Sequence, residues 1–199
     1  MSYKEIKKFI HRDVKKGGEG FGEVSTSVIF DKQTSVEAKA VFAYLCSFTC
    51  RGSTTVPGVT TMAQELVLPI EKIYDGIAEL KKAEYLDVSS SDTRRVYTLS
   101  TTLSGGGLVP CTLMRDKAIP CKAKVVYAAV SCMIGHTPMR PVETTYIPDC
   151  LGISEKCLQS ALDLLVEREY ISFYELQVSQ DCENMYRKLL SFNHIEREK

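Results

Sequence analysis

The chain has 199 residues, 44% of them hydrophobic, with 25 basic and 25 acidic side chains. This composition can fill the core of one large or two small domains, and the neutral balance argues against non-specific coating of DNA, which needs excess lysine and arginine. Because no apolar run of about 18 residues and no signal peptide occur, we expect a soluble, cytoplasmic protein without a membrane partner.

The eight cysteines are expected to be reduced, mostly buried thiols, since no secretory signal is present. Cys46 and Cys50 are four residues apart and Cys150 and Cys157 flank a turn, but no CxxC pair occurs, so we predict no metal site. The three histidines are separate from any serine, cysteine or carboxylate pattern that marks a nucleophile or general base. The sequence therefore predicts no catalytic residue, no cofactor and no enzymatic activity.

Residues 1–23 are predicted to form a basic arm that begins with a short amphipathic helix. Residues 1–20 hold six basic and three acidic side chains, so this part carries a charge of 6 − 3 = +3. The glycine-rich segment GGEGFG at 17–22 matches neither nucleotide-binding fingerprint and is predicted to be a hinge. The arm contacts DNA in one interpretation and is a solvated terminus in the other.

Residues 24–100 are predicted to form a first domain. Thr34 or Ser35 caps its first helix, and Ile73, Ile77 and Leu80 form the inner stripe of its third. The segments YLDV and TRRVYTLS then read as the two strands of a hairpin. Three helices followed by a β-hairpin is the arrangement of a winged helix.

The pattern then starts again. Residues 101–108, rich in Ser, Thr and Gly, are predicted to be a linker, residues 109–192 a second domain and residues 193–199 a tail. A shift of 85 positions aligns Asp31 with Asp116 and Leu80 with Leu165, and only the second wing is longer, so that Tyr97 aligns with Tyr186. The predicted fold is therefore α+β, mainly α, with two tandem winged-helix domains.

Residues 146–173 contain the clearer helix-turn-helix, with Gly152 in the turn and Ser154 as the cap of the second helix. Its exposed face is predicted to comprise Glu155, Lys156, Gln159, Ser160 and Asp163. The first copy has Val67 in place of the glycine and Pro69 in place of the serine. Its exposed face is predicted to comprise Ile70, Glu71, Lys72, Tyr74, Asp75 and Ala78.

These motifs resemble the winged-helix domains of replisome-organiser and plasmid or phage replication-initiation proteins. The resemblance includes the DK and AK pairs of each repeat and the segment LGISEKCLQSALDLL with the YI that follows it. The resemblance covers nearly the whole chain, once per repeat. It implies binding to double-stranded DNA by a bacterial protein associated with the nucleoid, in replication initiation or in transcription regulation. It is more specific for the fold than for the function.

The candidate DNA-binding residues follow from the helix-turn-helix and wing positions. They are Lys156, Gln159, Ser160 and Glu155 in the second repeat, Lys72 and Tyr74 in the first, Arg94 and Arg95 in the first wing, and Arg187 and Lys188 in the second wing. The alternative interpretation is an ordinary polar surface, with the wing arginines protecting an edge strand.

A second hypothesis is a non-enzymatic protein-interaction module, because the layout also resembles tandem winged-helix subunits of bacterial chromosome-condensation complexes. The neutral charge and the acidic residues on the first exposed face favour this alternative, with replication or condensation proteins as partners. The basic arm and the Lys156 face favour DNA. Whether the chain forms a homodimer is left open.

Overall fold

The computed structural model of the chain describes residues 5–12, 20–49, 53–91, 94–100, 106–137 and 139–178. In these ranges the fold is α+β, with small antiparallel sheets. The strands are β1 (Glu5–Arg12), β2 (Phe21–Ser25), β3 (Thr54–Thr55), β4 (Leu86–Ser91), β5 (Arg94–Leu99), β6 (Gly106–Pro110), β7 (Met139–Pro141) and β8 (Ile171–Val178). The helices are α1 (Thr26–Ile29), α2 (Val36–Thr49), α3 (Val59–Leu66), α4 (Ile70–Lys82), α5 (Cys111–Arg115), α6 (Cys121–Ile134), α7 (Ile147–Leu151) and α8 (Glu155–Glu167).

The elements of the first half recur 85 residues later. The helix α2 begins at Val36 and α6 at Cys121, which is 121 − 36 = 85, and both helices have 14 residues. The helices α4 and α8 begin at Ile70 and Glu155, again 155 − 70 = 85, and both have 13 residues. We refer to β2 through β5 with their helices as the first repeat, and to β6 through β8 with theirs as the second.

The helix α2 lies at the centre of the core. It contacts α4 of its own repeat and α6 of the other, so nearly its whole circumference is covered and ten of its residues are buried. The absence of a side chain at Gly76 lets α4 approach closely, since a Cβ there would lie 3.1 Å from the Cα of Ala38. Of the two residues predicted to cap α2, Thr34 and Ser35, the cap is Ser35, whose Oγ accepts a hydrogen bond from the N–H of Ala38 at 3.2 Å.

The two repeats join through an antiparallel pair of strands, β2 and β6. Phe21 pairs with Pro110 and Ser25 with Gly106. Residues 106–108, predicted to be the end of a linker, are therefore part of a strand, and residues 101–105 lie outside the described residues. The pairing needs glycine at 107, because a Cβ there would lie 2.2 Å from the carbonyl carbon of Ser131 in α6.

The first repeat carries a three-stranded sheet in the order β3-β5-β4. The hairpin predicted at its end is present, with Val88 opposite Tyr97. Tyr97 is fully buried, so the hairpin covers the core with its inner face.

The second repeat carries a sheet in the order β7-β1-β8, and its central strand comes from the N-terminus. The helix and hinge predicted within residues 1–23 are wrong where the chain is described, since residues 5–12 and 21–25 are strands. Ile10 is opposite Phe173, as Tyr97 is opposite Val88, and 173 − 88 = 85, so β1 has the register of β5. Pairing with β7 on one side and β8 on the other satisfies the backbone hydrogen-bonding groups of β1 and so stabilises the extended conformation. Ile10 therefore has the position of Tyr97 that the sequence assigned to Tyr186, and Tyr186 itself lies outside the described residues.

Candidate nucleic-acid interface

In the turn between α3 and α4, Val67 has the left-handed backbone conformation that glycine usually adopts. Val67 has φ 56° and ψ 47°, and the corresponding Gly152 between α7 and α8 has φ 64° and ψ 35°. The two turns therefore have the same conformation, although only glycine adopts it without strain. Ser154 caps α8 as predicted, since its Oγ accepts a hydrogen bond from the N–H of Cys157 at 3.2 Å.

The structure joins the exposed face of α4 to the hairpin of the first repeat. Lys72, Tyr74, Arg94 and Arg95 are all exposed, as expected for contact residues. The guanidinium carbon of Arg95 lies 5.3 Å from the centroid of the Tyr74 ring, within the range of a cation–π interaction. This contact between a helix residue and a wing residue was not predicted from the sequence.

The buried Tyr97 lies in the same strand as Arg95. Burial raises the pKa of the Tyr97 hydroxyl, and the positive charge of Arg95 partly opposes this rise. The hairpin therefore has an apolar inner face and a cationic outer end, with Arg94 and Arg95 directed to solvent. Such an end can contact phosphate oxygens without disturbing the core.

A carboxylate offsets the positive charge on α4. The ammonium of Lys72 lies 3.6 Å from the carboxylate of Asp75, and both side chains are more than half exposed. An exposed pair of this kind contributes less than about 1 kcal/mol, so Lys72 can exchange this partner for another anion at little cost.

The predicted face of α8 is exposed but partly engaged within the helix. The Nε2 of Gln159 donates a hydrogen bond to Asp163 at 2.7 Å, and the Oγ of Ser160 donates one to the Lys156 carbonyl at 2.9 Å. Glu155 is exposed in the first turn. Contact with base edges would therefore require Gln159 to leave Asp163, whereas the Lys156 side chain is exposed at the start of the helix.

Ser160 also lines a groove that both repeats share. Val67 of the first repeat lies at this groove with Cys157, Ser160 and Leu164 of α8 and with the start of α6. The turn of one repeat is thus next to the second helix of the other. The two wing residues predicted at Arg187 and Lys188 lie outside the described residues.

Two buried lysines, Lys39 and Lys124, were not predicted as special positions. Both are fully buried, one in α2 and one in α6, and 124 − 39 = 85. The Nζ of Lys39 donates a hydrogen bond to the Cys150 carbonyl of the other repeat at 2.6 Å, and the Nζ of Lys124 donates one to the Glu65 carbonyl of the first repeat. A lysine at the same place in two otherwise apolar runs, AKAVFAYL and AKVVYAAV, was the available sequence signal.

Burial lowers the pKa of both ammonium groups, to about 8 for Lys124. Each group lies near the C-terminal end of a short helix, α7 for Lys39 and α3 for Lys124, where carbonyl groups favour a positive charge. Lys124 also donates to the Met114 carbonyl at 2.9 Å. These contacts hold the two repeats together through hydrogen bonds between distant segments.

The exposed surface of the first repeat has an apolar side as well. Val67, Ile70 and Tyr74 are 55%, 40% and 45% exposed. Ile70 and Tyr74 are four residues apart in α4 and therefore lie on one face of the helix, and Val67 lies in the turn that precedes them. We call them the α4 apolar patch.

The cysteines and the tyrosines agree with expectation in part where the structure describes them. Cys46, Cys111 and Cys121 are buried, while Cys132, Cys150 and Cys157 are partly exposed. Tyr44, Tyr85, Tyr127 and Tyr170 are tyrosines that their positions at element ends or inner faces predict to belong to the core; Tyr44, Tyr127 and Tyr170 are buried. Tyr85 is half-buried, and its hydroxyl donates a hydrogen bond to Asp31 at 3.1 Å. In the described part of the chain, no three cysteine, histidine or acidic residues come together as metal ligands would.

Comparison with protein-family models, curated proteins and solved structures finds no match to this chain. Among the described helices, none has the length and apolar character needed to cross a membrane.

Proposed function

We propose that each repeat is a winged helix and that the protein is a non-enzymatic, double-stranded DNA-binding protein. The order of helix, short strand, two helices and hairpin in the first repeat supports this assignment, because helix-turn-helix proteins place the second helix of such a pair in the major groove. The proposed setting is replication initiation or transcription regulation by a bacterial mobile element or chromosome, in the cytoplasm at the nucleoid.

The contact between Arg95 and Tyr74 is the observation that carries the proposal. It places Arg95 of the hairpin beside the exposed side of α4, where Lys72 is also exposed, and Arg94 is exposed next to Arg95 in the same strand. A helix flanked by a cationic hairpin can contact base edges and the phosphate backbone at the same time. Local charge of this kind permits binding by a chain whose overall charge is zero.

The two repeats are proposed to contribute unequally. The α8 face has Lys156 and Gln159, of which glutamine suits adenine and lysine suits guanine or phosphate. The α4 face has Lys72 and Tyr74, with Lys72 held beside Asp75. We therefore assign sequence-specific contacts mainly to α8 and backbone contacts mainly to the first wing.

The test is a mobility-shift series over salt concentration with duplexes of plasmid or phage origins and scrambled controls. Binding should strengthen as salt falls, since contacts to phosphate release counterions. K156A/Q159A should weaken binding to the preferred duplex more than K72A/Y74A does, and equal losses would contradict the division of roles. No shift even at the lowest salt would refute DNA binding.

The α4 apolar patch favours a second candidate, a protein-interaction module. Val67, Ile70 and Tyr74 would meet an apolar surface of a partner, such as a replication or condensation protein, better than a phosphate-lined groove. If the protein is such a module, no duplex shows a mobility shift at any salt concentration. A fluorescent apolar probe then binds the wild-type protein and binds V67S/I70S much less. A salt-dependent shift that is unchanged in V67S/I70S would favour DNA instead.

A further inference from the structure

The two repeats are related by a rotation of 180°, as their strand pairing shows. Phe21 is opposite Pro110 and Ser25 is opposite Gly106. Adding 85 converts 25 into 110 and 21 into 106, so exchanging the repeats exchanges these two pairs with one another. The axis passes through the pair formed by Glu23 and Leu108, where 108 − 23 = 85. Two repeats related by translation would not give this reciprocal pattern.

The buried lysines follow the same rotation. Lys39 contacts the Cys150 carbonyl and Lys124 contacts the Glu65 carbonyl, and 39 + 85 = 124 while 65 + 85 = 150. Each contact runs from the central helix of one repeat to the helix that precedes the turn in the other. Because both ammonium groups are fully buried, the contacts fix how the two helix pairs are oriented relative to each other.

The two turns lie at equivalent distances from the paired strands β2 and β6. A Cβ on Gly22 would lie 1.6 Å from the Cys46 carbonyl oxygen, so the paired strands β2 and β6 lie against the C-terminal part of α2. Lys39 is seven residues earlier in α2, about 10 Å along the helix axis, and contacts the end of α7 there. The rotation places the end of α3 at the corresponding part of α6, through Lys124.

The helices α4 and α8, each the second helix of its helix-turn-helix, begin close together. Val67, three residues before α4, lines one groove with Cys157 and Ser160 in the first turns of α8. The beginnings of α4 and α8 are therefore much closer than about 34 Å, the distance between successive major-groove sites in dimeric helix-turn-helix proteins. The chain resembles a dimer with its two reading helices near the axis.

We infer that the target is an inverted repeat of two unlike half-sites whose centres lie less than one helical turn apart, with Lys39 and Lys124 as positioning residues that fix this spacing. The inference rests on the proposed function. The rotation predicts inverted half-sites, because each helix meets the duplex in the opposite direction. The half-sites should differ in sequence because α4 and α8 carry different side chains on their exposed faces.

The experiment begins with selection of bound duplexes from a randomised DNA library by the full chain. The expected product is an inverted, imperfect repeat with one spacing. A direct repeat, a single half-site or several spacings would overturn the inference while leaving DNA binding intact. Recovery of no DNA at all would refute the proposed function and the inference together.

Insertions between the selected half-sites then test whether the spacing is rigid. Five added base pairs place the half-sites on opposite faces of the duplex, and ten restore the face but not the distance. We expect either insertion to weaken binding about 100-fold, the loss that follows when two linked modules cannot bind together. Full recovery with ten base pairs would show flexibly tethered repeats and overturn the inference.

The lysine variants test the positioning role. K39M and K124M remove the cross-repeat donor while keeping a long apolar side chain. The measured quantity is the ratio of affinities for the selected duplex and the duplex with ten added base pairs, which does not depend on the fraction of folded protein. We expect this ratio to fall at least tenfold in the double variant and to stay unchanged in K82M, a control on the exposed end of α4. An unchanged ratio in folded K39M/K124M would exclude the positioning role, and the insertion series on the wild-type protein tests the spacing even if the variants do not fold.

Discussion

Replacing Lys124 with methionine should change how the stability of the protein depends on pH. The Lys124 ammonium is fully buried in α6 and donates hydrogen bonds to the carbonyls of Glu65 and Met114. Burial lowers its pKa to about 8 from the ordinary value of 10.5. Methionine has a similar length and no titrating group, so it removes both the charge and its titration.

The magnitude follows from the two pKa values. Between pH 8 and pH 10.5 the unfolded chain keeps the proton that the folded chain loses, so the free energy of unfolding of the wild-type protein rises with pH in this window. The difference between the two pKa values corresponds to a gain of about 3.4 kcal/mol in the free energy of unfolding, at 1.36 kcal/mol per pH unit. About 2.5 kcal/mol of this gain occurs between pH 7 and pH 10. The gain in free energy of unfolding is lost as the pH falls from 10.5 to about 8, the pKa of Lys124 in the folded protein.

The assay is urea unfolding of wild type and K124M at pH 7, 8, 9 and 10. The difference in free energy of unfolding between the two proteins should shift by about 2–3 kcal/mol in favour of wild type from pH 7 to pH 10, while groups that both proteins share cancel. The control is K156M, which removes an exposed lysine from α8. A difference that is constant over this range, or that shifts toward K124M at high pH, would refute the burial of a charged Lys124.

Three further predictions concern other parts of the fold. Gly22→Ser should lower the free energy of unfolding by at least about 3 kcal/mol in urea titrations, because its Cβ would overlap the Cys46 carbonyl. Gly58→Ser, whose Cβ would have only an ordinary contact at 3.6 Å, should change it by less than about 0.5 kcal/mol, and equal effects would contradict the close strand-to-helix contact. Ser154→Ala should cost about 1 kcal/mol by loss of the helix cap, with Ser154→Asp restoring most of it in the same titrations. Arg95→Ala should weaken binding to all duplexes alike and reduce the slope of log affinity against log salt by about 1, and loss at one sequence alone would argue for base contact instead.

The sequence was sufficient to predict three helices in each repeat, α2 to α4 and α6 to α8, but not the short helices α1 and α5. The stripe of Ile73, Ile77 and Leu80 and the caps Ser35 and Ser154 are local signals, which act over one or two helical turns. The exposed faces of α4 and α8 followed from the same periodicity, which is why each candidate residue there is exposed as expected.

The N-terminal strand was mispredicted for a physical reason. Residues 5–12 carry a mixture of charged and apolar side chains without a clear period of two, which resembles a short amphipathic helix. They form β1 because β7 and β8, more than 120 residues away, offer backbone partners on both sides. Local pattern contains no information about such partners.

The contacts between the two repeats could not be predicted from the sequence for a similar reason. The 85-residue interval indicated two copies of one unit, but not whether a translation or a rotation relates them. The pairing of Glu23 with Leu108 and the reciprocal bonds of Lys39 and Lys124 decide for rotation. Buried lysines in apolar helices are recognisable as unusual, yet their acceptors in the other repeat lie about 60 to 110 residues away.

The sequence by itself thus determined three helices of each repeat, the exposed faces of α4 and α8, the cap at Ser154 and the interval between the repeats, because helical periodicity and capping depend on neighbouring residues. Only the tertiary structure decided the twofold arrangement of the repeats, the origin of the central strand in the second sheet, and the contact between Arg95 and Tyr74. These features arise where hydrogen bonds and packing join segments that are distant in the chain. Such long-range contacts produce no periodic pattern in the sequence.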